Sequence, residues 1–489
     1  MLHKIPDDVM IAVMEYLLLT DLASLALTCR SLYHLVEEFG WTNFLRIHPR
    51  RFFSYTKSFA SWSARDQVRL HAMNDRNWAT QEFVARPLSQ RWASKLQPLL
   101  AINSSRLILA AGSNIYTYGF HSSPSFDNAA PVRAECTYST NVLHPNRDIT
   151  AMVSVSDGGD DRTVFVGYAD GSLERLYLGD FSKSRDSTSV ITAAEEHYDL
   201  HPGQMMESLS VSGDHLLSLT ASGTAGLLTL NKTEPQYTFI QLDTRGWCSY
   251  LSMKSSSPFA AFGTTSTHAF SIHSILPSHM ASEPSLYLDS QADVSYSSAV
   301  YAISCAPASS PWGASDKIIV SGWYDGMVRV HDLRSSTRTA STDNSASCLL
   351  PTLTMADPWS YEPIYSLCAG GGSDAHIVAG SARHSVLAFW DVRAARTGWS
   401  VHAPGNDASP VYSVVMDGPR VFGANESRGF VLDFGGGVTE ETYPHIPHDA
   451  TPVTRGGRWR RASGVDTTLK KDVGNGPGFY VTKYAHHKM

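Results

Sequence analysis

The chain has 489 residues, 43% hydrophobic and 17% charged, with a formal net charge of −7 and a pI near 6.3. That length asks for more than one folded unit, and the mild acidity gives no sign of a nucleic-acid partner or of binding to an anionic membrane. No apolar run approaches the roughly 20 residues of a membrane-spanning helix. The opening MLHKIPDD sets acidic residues ahead of its apolar run and does not look like a secretory signal. Six scattered cysteines (Cys29, Cys136, Cys248, Cys305, Cys348 and Cys368) include no CxxC pair. A reduced protein of the cytoplasm or nucleus is expected. In that setting the N-x-[ST] matches at Asn103, Asn231 and Asn425 carry no meaning.

Residues 5–45 form the one strongly helical stretch. Ile5-Pro6-Asp7-Asp8 reads as a helix opening, because an early Pro forfeits no hydrogen bond and carboxylates favour the positive end of the dipole. Val9, Val13 and Leu17, with Met10 and Met14, repeat at helical spacing. Thr20-Asp21 restarts the chain, Leu22, Leu25 and Cys29 follow, and Leu32 and Leu35 carry a third helix that Trp41 closes. Three short helices bury little area on their own.

These residues resemble the F-box family, which shows Leu-Pro-x-Glu, an apolar helix, Asp-Leu, Cys-Arg followed by a bulky residue, and a Trp. Here they read Ile5-Pro6-Asp7-Asp8, Val9 to Leu17, Asp21-Leu22, Cys29-Arg30 with Tyr33, and Trp41; Ile, Asp and Tyr33 depart conservatively from Leu, Glu and Trp. The resemblance implies docking on a Skp-type adaptor and, through it, on a cullin. Ile5, Pro6, Val9, Val13, Leu17, Leu22 and Leu25 would carry adaptor binding. The alternative is a helical segment that packs on its own neighbour.

Residues 46–95 form a linker rich in Trp and Arg, including Trp62, Trp78 and Trp92. Aromatics interleaved with basic residues can suggest a nucleic-acid surface. A spacer that packs its Trp residues on the first repeats explains the pattern more simply. Arg76-Asn77-Trp78 resembles the lead-in to the repeats of F-box proteins.

From residue 96 to 443 one unit recurs: two short strands around a tight turn. It is plainest at 317–334, where Asp325-Gly326 makes the bend and Met327 to Val330 alternate. Its other copies lie at 106–120, 163–178, 214–231, 258–273, 375–393 and 419–434. Val300-Tyr301, Ile364-Tyr365 and Val411-Tyr412 mark a preceding strand before the last three. A repeat of strands at this period points to a propeller. The unit resembles the WD repeat, with Trp390-Asp391 and an approximate His331-Asp332, although the usual Gly-His pairs are mostly missing. The expected fold is mainly β: a seven-bladed WD-like β-propeller preceded by a small α-helical F-box domain, with six or eight blades as alternatives. Residues 181–203, 277–297 and 335–360 read as exposed loops, with a candidate phosphorylation site in 335–347, and 444–489 reads as an extended or disordered tail.

No phosphate loop, HExxH or GxSxG motif is present, so no catalytic residues are assigned. His445, His448, His486 and His487 lack Cys or carboxylate partners at ligand spacing and read as solvated tail histidines; no metal site and no cofactor are expected. Asp170 and Asp325 sit at hairpin bends, where Asp serves turn backbone.

In related ligase receptors, Arg residues on the propeller face bind phosphorylated segments, since a guanidinium fork matches phosphate. The resemblance therefore makes Arg383 and Arg428 candidates for substrate binding, with Trp323, Tyr324 and Tyr168 as aromatic contacts to an uncharged ligand. The function expected is a non-enzymatic substrate-recognition subunit of an SCF-type (Skp adaptor–cullin–F-box) ubiquitin ligase. Its partners would be the adaptor, the cullin and a protein substrate, with no nucleic acid and no membrane. Two alternatives stand beside it. WDxR-like motifs at His331-Asp332-Leu333-Arg334 and Trp390-Asp391-Val392-Arg393 would suit a receptor for the other cullin ligase, and a plain scaffold would use the F-box outside a ligase complex.

Overall fold

The computed structural model describes residues 5–140, 147–179, 188–190, 194–230, 236–277, 279–289, 296–336, 338–339, 347–404, 408–446, 479 and 481–486. The chain begins with α1 (Asp7–Met14), α2 (Leu19–Ala26) and α3 (Arg30–Leu35). Pro6 caps α1 and its carbonyl accepts the Met10 N–H at 3.1 Å, while Asp7 and Asp8 fill the first turn. α3 continues through a π turn at Val36–Gly40 into α4 (Trp41–Ile47), where Trp41 Nε1 donates to Glu37 at 3.0 Å. Met10, Met14, Leu22, Leu25, Leu32, Leu35, Val36 and Trp41 form the core of this bundle. Val68, from a later helix, completes it.

The stretch expected to be a linker is a structured joint. It holds α5 (Thr56–Phe59) and α6 (Ala64–Thr80), the latter capped by Ser63, whose Oγ accepts the Asp66 N–H at 3.1 Å. Trp62 donates to Ser123 O at 2.9 Å, and Trp92 stacks near Tyr116 at 6.4 Å, so both lean on the first hairpin region as expected. Trp78 corrects that expectation: it is buried and stacked on Phe434 at 4.0 Å, beside Phe389, in the last two repeat units. The reason is topological. Just past α6, strand Val84–Pro87 pairs antiparallel with Gly429–Asp433, so α6 must reach the C-terminal sheet.

A buried polar knot locks the same joint. Arg420 and Asp433, both fully buried, pair at 3.1 Å, and the Arg420 guanidinium lies 5.2 Å from the Tyr55 ring centroid. Asp417, next to them, accepts the Ser54 N–H at 3.0 Å; burial pushes its carboxyl up to about 6 although Ser54 and Arg420 pull the other way. Removing either member of a buried pair leaves the other uncompensated, so the knot is a point of high sensitivity.

All seven hairpin stretches read from the sequence are antiparallel strand pairs, from Arg106–Ala111 with Asn114–Phe120 to Arg420–Asn425 with Gly429–Asp433. Each is preceded by another antiparallel strand. In six of these preceding strands the register slips by one residue, at Thr150, Glu207, Trp247, Tyr301, Tyr365 and Tyr412. Among the described residues backbone pairing gathers the strands into six sheets, because Thr265-Ser266 pairs with Ser298-Ala299 and fuses two units into a ten-stranded sheet. Among the described residues the sheets do not close on one another. The ladders therefore define a mainly β region behind a helical N-terminus, and not seven separate blades.

Successive units pack closely through one recurring device. Gly167, Gly263, Gly322 and Gly380, each in a second strand, face Met206, Val300, Ile364 and Val411 of the next unit's first strand. An added Cβ would stand only 2.4, 2.5, 2.6 and 2.8 Å from those neighbours. Within the expected tail, residues 447–478 lie outside those described, but Lys483–Ala485 forms a strand beside Trp399–His402.

Candidate functional site

α1 carries two apolar stripes. Met10 and Met14, four apart, face inward, whereas Val9 and Val13, also four apart, remain 47% and 43% exposed, with Tyr16 just past the helix at 87%. Leu18 and Leu27, flanking α2, are 70% and 87% exposed. Tyr33, Phe39 and Ile47 are also uncovered, so residues 5–47 carry eight of the seventeen exposed large hydrophobics among the described residues. This concentration of uncovered apolar side chains is what a partner could cover. Of the residues assigned to adaptor binding, Pro6, Val9 and Val13 lie on the outside, and Ile5 and Leu17 are half-buried. Leu22 and Leu25 are a correction: they pack inside the bundle and cannot touch a partner, because α2 needs them to close against α1 and α3. Tyr16, Leu18 and Leu27 escaped the sequence reading; Tyr16 follows Val9 at i+7, a spacing that would have pointed to it.

The candidate ligand contacts on the β region divide in the same way. Tyr168, Trp323 and Arg428 correct the expectation: all three are buried and do not face a ligand on the surface. Tyr168 OH meets Glu174 at 3.3 Å; Trp323 donates to Ser321 at 2.9 Å and lies beneath the Arg329 guanidinium at 4.6 Å. Arg428 donates its backbone N–H to Asn425 Oδ1 at 3.0 Å in an Asx turn, and its side chain is buried. Arg383 and Tyr324 are exposed and come together in one cleft of about 1020 Å³. Trp359 and Tyr361 line it too, 54% and 73% exposed beside Tyr324 at 58%. Neither belongs to a hairpin, which is why the repeat pattern did not reveal them.

The cleft opens onto the bulged positions of the first strands. There Tyr412, Tyr365, Tyr301 and Trp247 run as a chain of ring contacts at 6.0, 5.2 and 4.8 Å, and Tyr324 joins at Tyr301 at 6.5 Å. A bulge turns its extra residue out of the ladder, so one side chain per unit is aimed the same way. The sequence marked three of these positions by their Val-Tyr or Ile-Tyr pairs; Thr150, Glu207 and Trp247 share the geometry without the residue types. At the far end Arg245 stacks 3.9 Å over Trp247 and reaches Glu207 at 3.4 Å. Burial pushes the Glu207 carboxyl up to about 7, against the pull of Arg245.

The WDxR-like motifs turn inward on themselves. Arg334 binds Asp332 at 2.8 and 2.7 Å, and Arg393 binds Asp391 at 2.9 and 2.6 Å, each a two-pronged pair that ties off the strand end. Asp170 and Asp325 serve their turns through Ser172 N–H at 3.3 Å and Met327 N–H at 3.1 Å.

His486 departs from the solvated state expected of it: it is buried and meets Ser400 Oγ at 2.8 Å. Asp357 accepts from Ser400 at 2.8 Å and Tyr484 at 2.7 Å and lies 3.6 Å from His486 Nε2. Serine and carboxylate thus approach the same ring nitrogen, which is not the arrangement of a nucleophilic relay; the group fastens the C-terminal strand. His445 is exposed, while His448 and His487 lie outside the described residues. Among the described residues no group of three or more His, Cys, Asp or Glu could hold a metal, and no helix is long and apolar enough to cross a membrane.

Residues 2–46 match the family model for F-box-like domains. The match covers the bundle with the uncovered apolar face and suggests an adaptor-binding role in an SCF-type ligase. A comparison with curated proteins finds no match for the chain.

Proposed function

We propose that this protein is a substrate-recognition subunit of an SCF-type ubiquitin ligase, with the N-terminal bundle on a Skp-type adaptor and the β region holding the target. The observation that carries the reading is the uncovered stripe of Val9, Val13 and Tyr16 on a bundle whose sequence matches F-box-like domains. The protein would do no chemistry itself. Its contribution is proximity: holding a target beside a cullin-bound conjugating enzyme raises the effective concentration of the reactants.

The reading includes a seven-unit WD-like propeller as the target platform. Two features support it. First strands of successive units touch in chain order, and the first strand of the first unit (Leu99–Ile102) touches that of the last (Val411–Asp417). Strand Val84–Pro87 supplies the fourth strand of the last unit from the N-terminal side, a join of the sort that holds a ring shut. Packing between such blades is by side chains, so it leaves no trace in hydrogen-bonded ladders.

The test is affinity purification of the full chain beside a version lacking residues 1–45, with bound proteins identified by mass spectrometry. A Skp-type adaptor and a cullin appearing only with the full chain is the expected result. A cullin with a propeller adaptor retained by the truncated chain would transfer the function to the WDxR-like motifs. Loss of every ligase component from both baits would leave a scaffold.

A further inference from the structure

We propose that the cleft between Tyr324, Trp359 and Tyr361 binds an arginine or lysine side chain of a partner polypeptide. The inference rests on the receptor reading only in taking the partner to be a polypeptide, and it needs no adaptor. Three rings, each more than half exposed, share one cleft of about 1020 Å³ with the Glu362 carboxylate, which lies 3.6 Å from the exposed Arg383, while Asp325 at its edge is already held by Arg329 at 2.5 Å. A cation over an aromatic face, with a carboxylate at its side, is attracted by both the ring quadrupole and the charge.

The chain itself uses this combination twice nearby. Arg329 lies 4.6 Å over Trp323 and pairs with Asp325 at 2.5 Å; Arg245 lies 3.9 Å over Trp247 and pairs with Glu207 at 3.4 Å. Trp247 connects to the cleft through Tyr301 and Tyr324, so one aromatic belt holds a guanidinium at one end. At the other end, among the described residues, no cation of the chain stacks on Tyr324 or Tyr361.

Two other ligand chemistries fit less well. A proline-rich segment also docks on aromatic-lined grooves, but here it would have to do without the Trp359 indole N–H as a donor, because Nε1 already donates to Ala485 O at 2.9 Å. Among the described residues a phosphate would find Arg383 as the single Arg or Lys lining the cleft, and that Arg already lies 3.6 Å from the Glu362 carboxylate.

The test uses the full chain and Gly-Ser nonapeptides carrying one central Arg, Lys, Gln or phosphoserine, together with a Pro-rich nonapeptide, titrated by isothermal calorimetry into the millimolar range. Saturable binding of the Arg and Lys peptides is expected, at least tenfold tighter than the Gln peptide. Tyr361→Ala and Glu362→Gln should each weaken the Arg peptide several-fold, and Tyr361→Phe, which keeps the ring face, should leave it within twofold. Tyr361 is 73% exposed, so the variants should melt with the parent, which circular dichroism checks. Equal or tighter binding of the phosphoserine or Pro-rich peptide overturns the proposal. So does the absence of saturable Arg binding, or Arg binding that Tyr361→Ala leaves unchanged. Adaptor binding measured on the same chain separates the two readings: its loss beside intact Arg binding sinks the receptor reading and leaves this one standing.

Discussion

Replacing Val9, Val13 and Tyr16 together by Ala removes the outward stripe of α1 while leaving Met10 and Met14 in the bundle core. Full burial of a large apolar side chain contributes about 1.5–3 kcal/mol, so the share still exposed here, just under half for each Val and 87% for Tyr16, is what a partner can gain by covering it. The two Val residues then offer about 0.7 kcal/mol each and Tyr16 about 1.7 kcal/mol, together about 3 kcal/mol or roughly a hundredfold in Kd. The assay is calorimetric titration of a purified Skp-type adaptor into the full chain and into the triple variant, with thermal melts alongside. The variant should lose about a hundredfold in affinity with little change in melting. Leu22→Ala, by contrast, opens a cavity in the bundle and should cost about 2–5 kcal/mol of that unit's stability, with adaptor binding lost only as the bundle unfolds. Unchanged affinity in the folded triple variant would refute the reasoning, since the exposed stripe would then have no part in docking.

Asp417 is buried with its carboxyl pushed up to about 6, so its contribution to stability is fully present below the ordinary carboxylate range and is lost as pH rises through about 6. Asp417→Asn keeps an acceptor for the Ser54 N–H without the charge. It should stabilise the protein by about 2–3 kcal/mol at pH 8 and little at pH 4, as denaturant melts at both pH values would show. Trp78→Ala, at a ring stacked 4.0 Å from Phe434, should cost about 3–5 kcal/mol in the same melts, because it empties the contact between α6 and the last two units. Gly322→Ala sets a methyl 2.6 Å from Ile364 Cγ2 and should destabilise by about 1–3 kcal/mol, whereas Gly203→Ala, whose Cβ meets nothing within 4 Å, strains only its positive φ. No loss of stability on Gly322→Ala would argue against close packing between units.

The seven hairpins and the helical start were legible because both are local: short apolar strands about a turn, marked by Asp-Gly at Asp170-Gly171 and Asp325-Gly326, and apolar residues at helical spacing need no distant partner to be read. Val9 and Leu22 look alike in sequence, since both are apolar residues on short helices. Only the packing of α1, α2 and α3 decided that Leu22 is core and Val9 is surface. The same holds for Trp323 and Tyr324, adjacent residues of which one lies beneath Arg329 and the other is open to the cleft, because Trp323 ends its strand and Tyr324 begins the turn that follows. Trp359 and Tyr361 became a candidate site only when a loop between units met the hairpin of its neighbour and the C-terminal strand. Strand Val84–Pro87 was unreadable as a strand for a related reason: four residues gain their pairing from Gly429–Asp433, far along the chain. The sequence by itself determined the local elements and the apolar character of the N-terminal bundle. Tertiary structure alone decided which apolar side chains remain for a partner, because burial depends on contacts between segments that periodicity does not encode.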